Sequence, residues 1–171
     1  DGMEVIQQAG ALRISGPANR VGGIERDLPP GVRAVEVQIE PGTDQGKTWG
    51  CGVALVWPGG RAARVNLRVP ESRFGTLGPD GIRLLGGPLD ATQPQTLRLL
   101  LTDSGVIYQV KAGGEWTTID AQSRTGLDGD PALLRVGKLG ERGDWQDYGG
   151  DGESVGACAV RSVRVRSMVG G

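Results

Sequence analysis

Histidine is missing altogether from the 171 residues. Its absence removes the commonest general base, the commonest zinc ligand and every Ser-His or Cys-His pairing. Aromatic side chains are scarce: four Trp, two Tyr and one Phe, few for a surface that would grip polysaccharide by stacking alone. Cysteine is limited to Cys51 and Cys158. These two lack metal-type spacing and sit among small residues in strand-like segments, so buried free thiols and a single disulfide are both open. Neither sign of charge dominates. Nineteen Lys and Arg against 20 Asp and Glu give a formal net charge of -1, without the basic field of a nucleic-acid binder. No apolar run approaches the ~20 residues of a membrane span, and no signal peptide is visible. The abrupt start at Asp1 leads us to expect a mature protein or a module cut from a longer one.

What the chain does have is 31 glycines and 10 prolines, placed singly or in pairs between short apolar runs. That is the look of an all-β domain with many turns rather than of a low-complexity tract. A chain this long can bury about two-thirds of its unfolded surface in one core, so one domain over 1–171 is expected.

The stretch 95–120 organises the rest. Residues 97–102 carry Leu97, Leu99 and Leu101 on one face and Arg98 on the other. Asp103-Ser104-Gly105 turns the chain, 106–111 is β-branched and aromatic, and Ala112-Gly113-Gly114 turns it again into 116–119. Further strands are predicted over 11–15, 20–28, 32–40, 49–57, 63–69, 74–77, 82–85, 133–139 and 155–166. Two of them alternate cleanly. Val35, Val37 and Ile39 oppose Glu36, Gln38 and Glu40, and Val65, Leu67 and Val69 oppose Arg64, Asn66 and Arg68. Trp49 and Trp57 share a predicted face with Cys51, Val53 and Leu55, which makes both core candidates. No segment of ten or more residues holds a helical period. About a dozen short strands predict a two-sheet antiparallel β-sandwich, a jelly roll.

Several segments together resemble the concanavalin A-like lectin/glucanase (laminin-G-like) superfamily over 11–166. They are Val-Arg-Ala-Val-Glu-Val-Gln-Ile-Glu at 32–40 and Trp-Gly-Cys-Gly-Val-Ala-Leu-Val-Trp at 49–57. The meander adds Leu-Arg-Leu at 97–99, Tyr108 and Gly-Glu-Trp at 114–116. Leu-Leu-Arg-Val-Gly-Lys at 133–138 and Ala-Cys-Ala-Val-Arg-Ser-Val-Arg-Val at 157–165 complete the set. The resemblance implies a jelly roll of two curved sheets, in which Trp116 packs after its glycine turn.

Three constellations could carry chemistry. Glu36-Val-Gln38-Ile-Glu40 is similar to the Glu-x-Asp-x-Glu motif of laminarinase-type glucanases, with Gln38 where that motif has Asp. In a regular strand Glu36 and Glu40 stand roughly 13 Å apart, against the ~5–5.5 Å of a retaining glycosidase, so a solvated strand face is the simpler reading. Second, if Glu36, Gln38, Glu40, Arg64, Asn66, Arg68 and Arg98 share one open face, their planar groups could hydrogen-bond sugar hydroxyls in pairs. Cross-strand ion pairing that only keeps the face soluble is the bland alternative. Third, the loop 140–154 holds Trp145 and Tyr148 as candidate stacking platforms. Its Asp144, Asp147, Asp151 and Glu153 offer the oxygen ligands calcium prefers, though not at EF-hand spacing.

The sequence therefore points to a non-catalytic, carbohydrate-binding (lectin-like) module of a secreted, periplasmic or cell-surface protein, accessory to a carbohydrate-active enzyme. Its expected partners are a polysaccharide or glycan and other domains of a parent protein, with neither nucleic acid nor a membrane span. Its expected ligand residues are Glu36, Gln38, Arg64, Asn66, Arg68, Trp145 and Tyr148, and calcium is its candidate ion. The alternatives are a structural or protein-interaction domain with no sugar ligand and, third, a glycoside hydrolase using Glu36 and Glu40.

Overall fold

The computed structural model describes residues 3–43, 48–87, 89–149 and 155–168. Thirteen strands and no helix occur among them. In chain order these are β1 (Glu4–Gln8), β2 (Ala11–Pro17), β3 (Gly22–Asp27), β4 (Val32–Glu40), β5 (Gly50–Val56), β6 (Ala62–Arg68) and β7 (Arg73–Gly78). They continue with β8 (Gly81–Leu85), β9 (Gln95–Leu101), β10 (Gly105–Ala112), β11 (Glu115–Ser123), β12 (Leu133–Leu139) and β13 (Val155–Ser167). Two antiparallel sheets result, with orders β1-β2-β13-β4-β9-β10-β11 and β3-β12-β5-β6-β7-β8. The protein is the all-β sandwich that the alternation predicts.

The period-two pattern sets which side of each strand goes inside. Val35, Val37, Ile39, Leu97, Leu99, Tyr108 and Val110 of the larger sheet meet Val53, Leu55, Trp57, Val65, Leu67, Phe74 and Val136 of the smaller in one cluster. Each such side chain contributes about 1.5–3 kcal/mol by leaving water, which fixes the register against a one-residue slip. Both cysteines are buried free thiols.

The outward sides follow from the same registers. Across the larger sheet, Glu36 lies opposite Arg98 of β9 and Arg164 of β13, and Gln38 lies opposite Thr96 and Ser162. Lys111 of β10 faces Trp116 of β11. Across the smaller sheet, Arg64 lies opposite Ala54 and Leu77, and Asn66 opposite Gly52 and Gly75.

Four features differ from the sequence expectation. β1 was not predicted, because only Val5 and Ile6 in Glu4–Gln8 are apolar and most of this edge strand is exposed. Trp49 is not in the core beside Trp57. The backbone turns at Gly50, whose φ of 93 lies where L side chains are strained, and this breaks the alternation between Trp49 and Cys51. Trp116 does not pack inside either; it stands on the outer face of the larger sheet, half-buried. Finally, β11 runs well past 119. A register shift beside Tyr108 and Gln109 turns Asp120 and Gln122 inward.

These inward polar groups tie the two sheets together at one edge. Thr76 Oγ1 donates to Asp120 Oδ2 at 2.6 Å, Arg83 Nη1 to Asp120 Oδ1 at 2.6 Å and Gln122 Nε2 to Asp120 Oδ2 at 3.0 Å. The Tyr108 hydroxyl donates to the Leu77 carbonyl at 2.7 Å. Burial pushes the Asp120 carboxyl up, but its hydrogen bonds from Thr76, Gln122 and Arg83 outweigh that, so its pKa lies below the ordinary value.

Candidate functional site

The residues expected to form one polar face divide between two. Glu36, Gln38, Glu40 and Arg98 lie on the outer side of the larger sheet, whereas Arg64, Asn66 and Arg68 lie on the outer side of the smaller. A sandwich has two outer faces on opposite sides of the molecule, and strand alternation alone does not say which sheet a strand joins.

On the smaller sheet the loop after β12 lies across the polar row like a roof. Arg64 and Asn66 are fully buried. Arg64 Nη1 donates to the Gly140 carbonyl at 3.0 Å and also to that of Glu141. The Arg64 guanidinium stacks 4.6 Å from the Trp49 ring centroid, with that of Arg68 at 5.1 Å from the same ring. Asn66 Nδ2 donates to the Trp49 carbonyl and Arg68 Nη1 to that of Thr48. Burial pulls the Arg64 pKa down to about 10, so the side chain remains charged at neutral pH.

Gly143 lets the loop come this close. Its φ is 68, and an added Cβ would stand 2.9 Å from that of Ala54. Arg135 anchors the same loop, donating from Nη1 to the Gly143 carbonyl at 3.1 Å and from Nε to Glu25 Oε2 at 2.6 Å, and it lies 5.9 Å from the Trp145 ring centroid. Tyr148 is half-buried, its backbone N–H donating to the Asn19 carbonyl at 2.9 Å. Arg64 thus holds the loop in place, and both Arg64 and Asn66 are closed off from solvent.

The calcium candidates divide as well. Asp147 is already engaged, accepting from Arg20 at 2.7 Å and from the Val21 N–H at 2.8 Å. Burial raises the Asp147 carboxyl, but those two hydrogen bonds hold it below the usual carboxylate range. Asp144 Oδ1 accepts from the Gln146 N–H at 3.4 Å. Asp151 and Glu153 lie outside the described residues. Among the described residues no three His, Cys, Asp or Glu side chains converge in a way that could hold a metal ion.

The larger sheet's outer face is open. A shallow cleft of about 200 Å3 crosses β13, β4, β9, β10 and β11, lined by Glu36, Gln38, Thr96, Lys111, Trp116, Ser162 and Arg164. Arg98 lies 3.9 Å over the Trp116 ring centroid and donates from Nε to Gln109 Oε1 at 2.7 Å. Glu36, which is 7% exposed, is held from two sides, by Arg166 at 3.1 Å and Arg98 at 3.6 Å. Glu40 pairs with Arg161 at 2.5 Å.

Strand β4 is regular through this stretch. The irregularity at Val160 and Ser162 falls on β13, so nothing in β4 draws Glu36 and Glu40 toward one another. What the cleft offers is one aromatic ring beside a carboxylate, an amide, two hydroxyls and two exposed cations.

Several hollows are larger, and two stand out by volume. One of about 690 Å3 lies between the β5–β6 and β7–β8 turns, lined mainly by glycine and apolar groups with Arg61, Glu141 and Arg142. The other, of about 590 Å3, lies within the 141–149 loop. Neither sets an aromatic face beside paired planar polar groups from neighbouring strands, so chemistry favours the smaller cleft. Sequence reasoning missed Trp116 as part of it. The signal was present: across the Gly113-Gly114 turn, Trp116 must face Lys111, whose side is opposite to that of Val110.

No protein-family model matches the sequence, and no curated protein matches it. Solved structures do match in fold. The Crh5 transglycosylase in complex with NAG superposes over 97% of this chain and 76% of its own, with a TM-score of 0.67 and 12% identity. The legume lectin-like domain from Entamoeba histolytica matches over 98% and 89%, with a TM-score of 0.53 and 11% identity. The GH43 BlXynB protein from Bacillus licheniformis matches over 97% of this chain with a TM-score of 0.63 and 11% identity, and there the chain spans only 34% of the larger protein. The protein therefore shares its β-sandwich with carbohydrate-active enzymes and a lectin-like domain.

Proposed function

We propose that the chain is a non-catalytic, carbohydrate-binding module of a secreted or cell-envelope protein, accessory to a carbohydrate-active enzyme. Its binding surface is the outer face of the seven-stranded sheet. The observation that carries this reading is the cleft itself. The Trp116 ring offers an apolar platform for the face of a pyranose, and Glu36, Gln38, Thr96 and Ser162 stand beside it to exchange hydrogen bonds with ring hydroxyls. At about 200 Å3 it falls below the roughly 300–1,000 Å3 of a drug-sized ligand pocket. It suits a polymer lying across the sheet with one ring seated.

Support also comes from the company the fold keeps, which includes a transglycosylase, a GH43 protein and a lectin-like domain. The match to about a third of the GH43 protein fits an accessory role. Fold alone does not establish function, so the test is direct. The protein is run through native gels containing single polysaccharides, beside Trp116→Ala and Gln38→Ala variants. Retardation by one polymer, lost in both variants, is the expected result. Uniform mobility across the panel would overturn the reading in favour of a structural or protein-interaction domain, for which the ion-paired carboxylates of β4 would suffice.

A further inference from the structure

Charge is distributed unevenly on the open face. On the outward side of β4, β9, β10 and β13 stand five cations, Arg98, Lys111, Arg161, Arg164 and Arg166, against two carboxylates, Glu36 and Glu40. The carboxylates are already ion-paired: Glu36 with both Arg98 and Arg166, and Glu40 with Arg161. Lys111 and Arg164 have no carboxylate partner among the described residues. Lys111 lies 5.8 Å from the Trp116 ring centroid, and both exposed cations line the cleft. The whole chain has a net charge of -1, so this local excess runs against the average.

From this we infer that the glycan is acidic: an anionic polysaccharide whose carboxylate or sulfate groups are read by Lys111 and Arg164 while one of its rings stacks on Trp116. The inference rests on the carbohydrate-binding reading above and adds the ligand class to it. The physical reason is specificity by difference. A neutral polymer would leave Lys111 and Arg164 solvated, gaining only stacking and neutral hydrogen bonds. An acidic polymer adds charge-assisted bonds, roughly twice as strong as neutral ones. The arginine fork takes a planar carboxylate or a sulfate in two parallel bonds, and lysine acts as a point charge beside it. The pair Glu36 and Gln38 between the cations then meets the hydroxyls of the same sugar.

The test uses the full chain in affinity gels and titration calorimetry. The probes are polygalacturonate and alginate for carboxylate, dextran sulfate for sulfate, and dextran, laminarin and xylan as neutral polymers. Lys111→Met and Arg164→Gln remove charge from exposed side chains and leave the core untouched. The expected result is selective binding of at least one acidic polymer, weakened about tenfold by either variant, abolished by Trp116→Ala and weakened by added salt. Which acidic arm responds distinguishes uronate from sulfate.

Selective binding of neutral polymers, unchanged in Lys111→Met and Arg164→Gln, would overturn the acidic assignment and leave the module reading intact. Binding of polyanions that survives Trp116→Ala would also overturn it, since a diffuse charge attraction would explain it. No binding to any probe would end both proposals.

Discussion

The two outer faces are built from the same parts and end in different states. On the larger sheet Arg98 stacks over Trp116 at 3.9 Å and the surface is open; on the smaller, Arg64 stacks over Trp49 at 4.6 Å and the 140–149 loop covers it. Stacking alone therefore does not mark a binding site. Whether the guanidinium faces water or backbone carbonyls decides its role. Roofed, it is an anchor whose loss leaves carbonyls unpaired. Open, it is a support that positions a ring for something else to meet.

This contrast can be broken most forcefully at Arg64. Arg64→Met should lower stability by about 2–4 kcal/mol, since the Gly140 and Glu141 carbonyls lose their donor and packing is lost with it. Arg98→Met, on the open face, should cost less than about 1 kcal/mol. Denaturant titration of both variants gives the answer, and equal losses would mean the roof is not held by Arg64. Next in size is Gly143→Ala, which places a Cβ against Ala54 at a left-handed φ. A loss of about 1–3 kcal/mol is expected in thermal melts, with faster amide exchange along 140–149.

The inter-sheet ties give a pH test. Asp120 has a lowered pKa when folded, and so have Glu25 and Asp147. Such groups contribute stability that is fully present above the ordinary carboxylate pKa of about 4 and is lost as pH falls through the folded value. Melting temperature should hold steady near neutrality and drop in that acid range, and Asp120→Asn should flatten the drop. The smallest structural effect is expected at Trp116. Trp116→Ala should cost less than about 1 kcal/mol in stability while removing glycan retardation, so a large loss of stability would return this tryptophan to a structural role.

Much of this architecture was legible from alternation alone. β4, β6 and β9 show their inner and outer sides in the order of their residues, and the meander from β9 to β11 is written in its turns. What was not legible depends on long-range placement. Nothing local in Arg64-Val-Asn66 tells that a loop some 75 residues later would close over it, a separation visible in the Arg64 to Gly140 bond. Trp49 was misplaced because Gly50 breaks the alternation at a single backbone angle. Asp120 and Gln122 read as ordinary polar residues until the shift beside Tyr108 turns them inward. β1 is too polar to announce itself and exists because β2 offers it an edge. Trp116 differs for another reason: the hairpin register held the answer, whereas the family resemblance pointed to a tryptophan packed after its glycine turn.

One feature of the strand order carries a consequence in time rather than in space. β13 lies between β2 and β4 in the larger sheet, so strands from the two ends of the sequence meet at its middle. Until β13 is synthesised, β4 has a bare edge and β1 with β2 form a hairpin without a sheet to join, a unit of marginal stability by itself. Closing that gap requires loops spanning most of the chain, which is slow in proportion to sequence separation. A ribosome-bound chain of this protein therefore waits, with a central strand bare along one edge and exposed to its neighbours, for the residues that complete it.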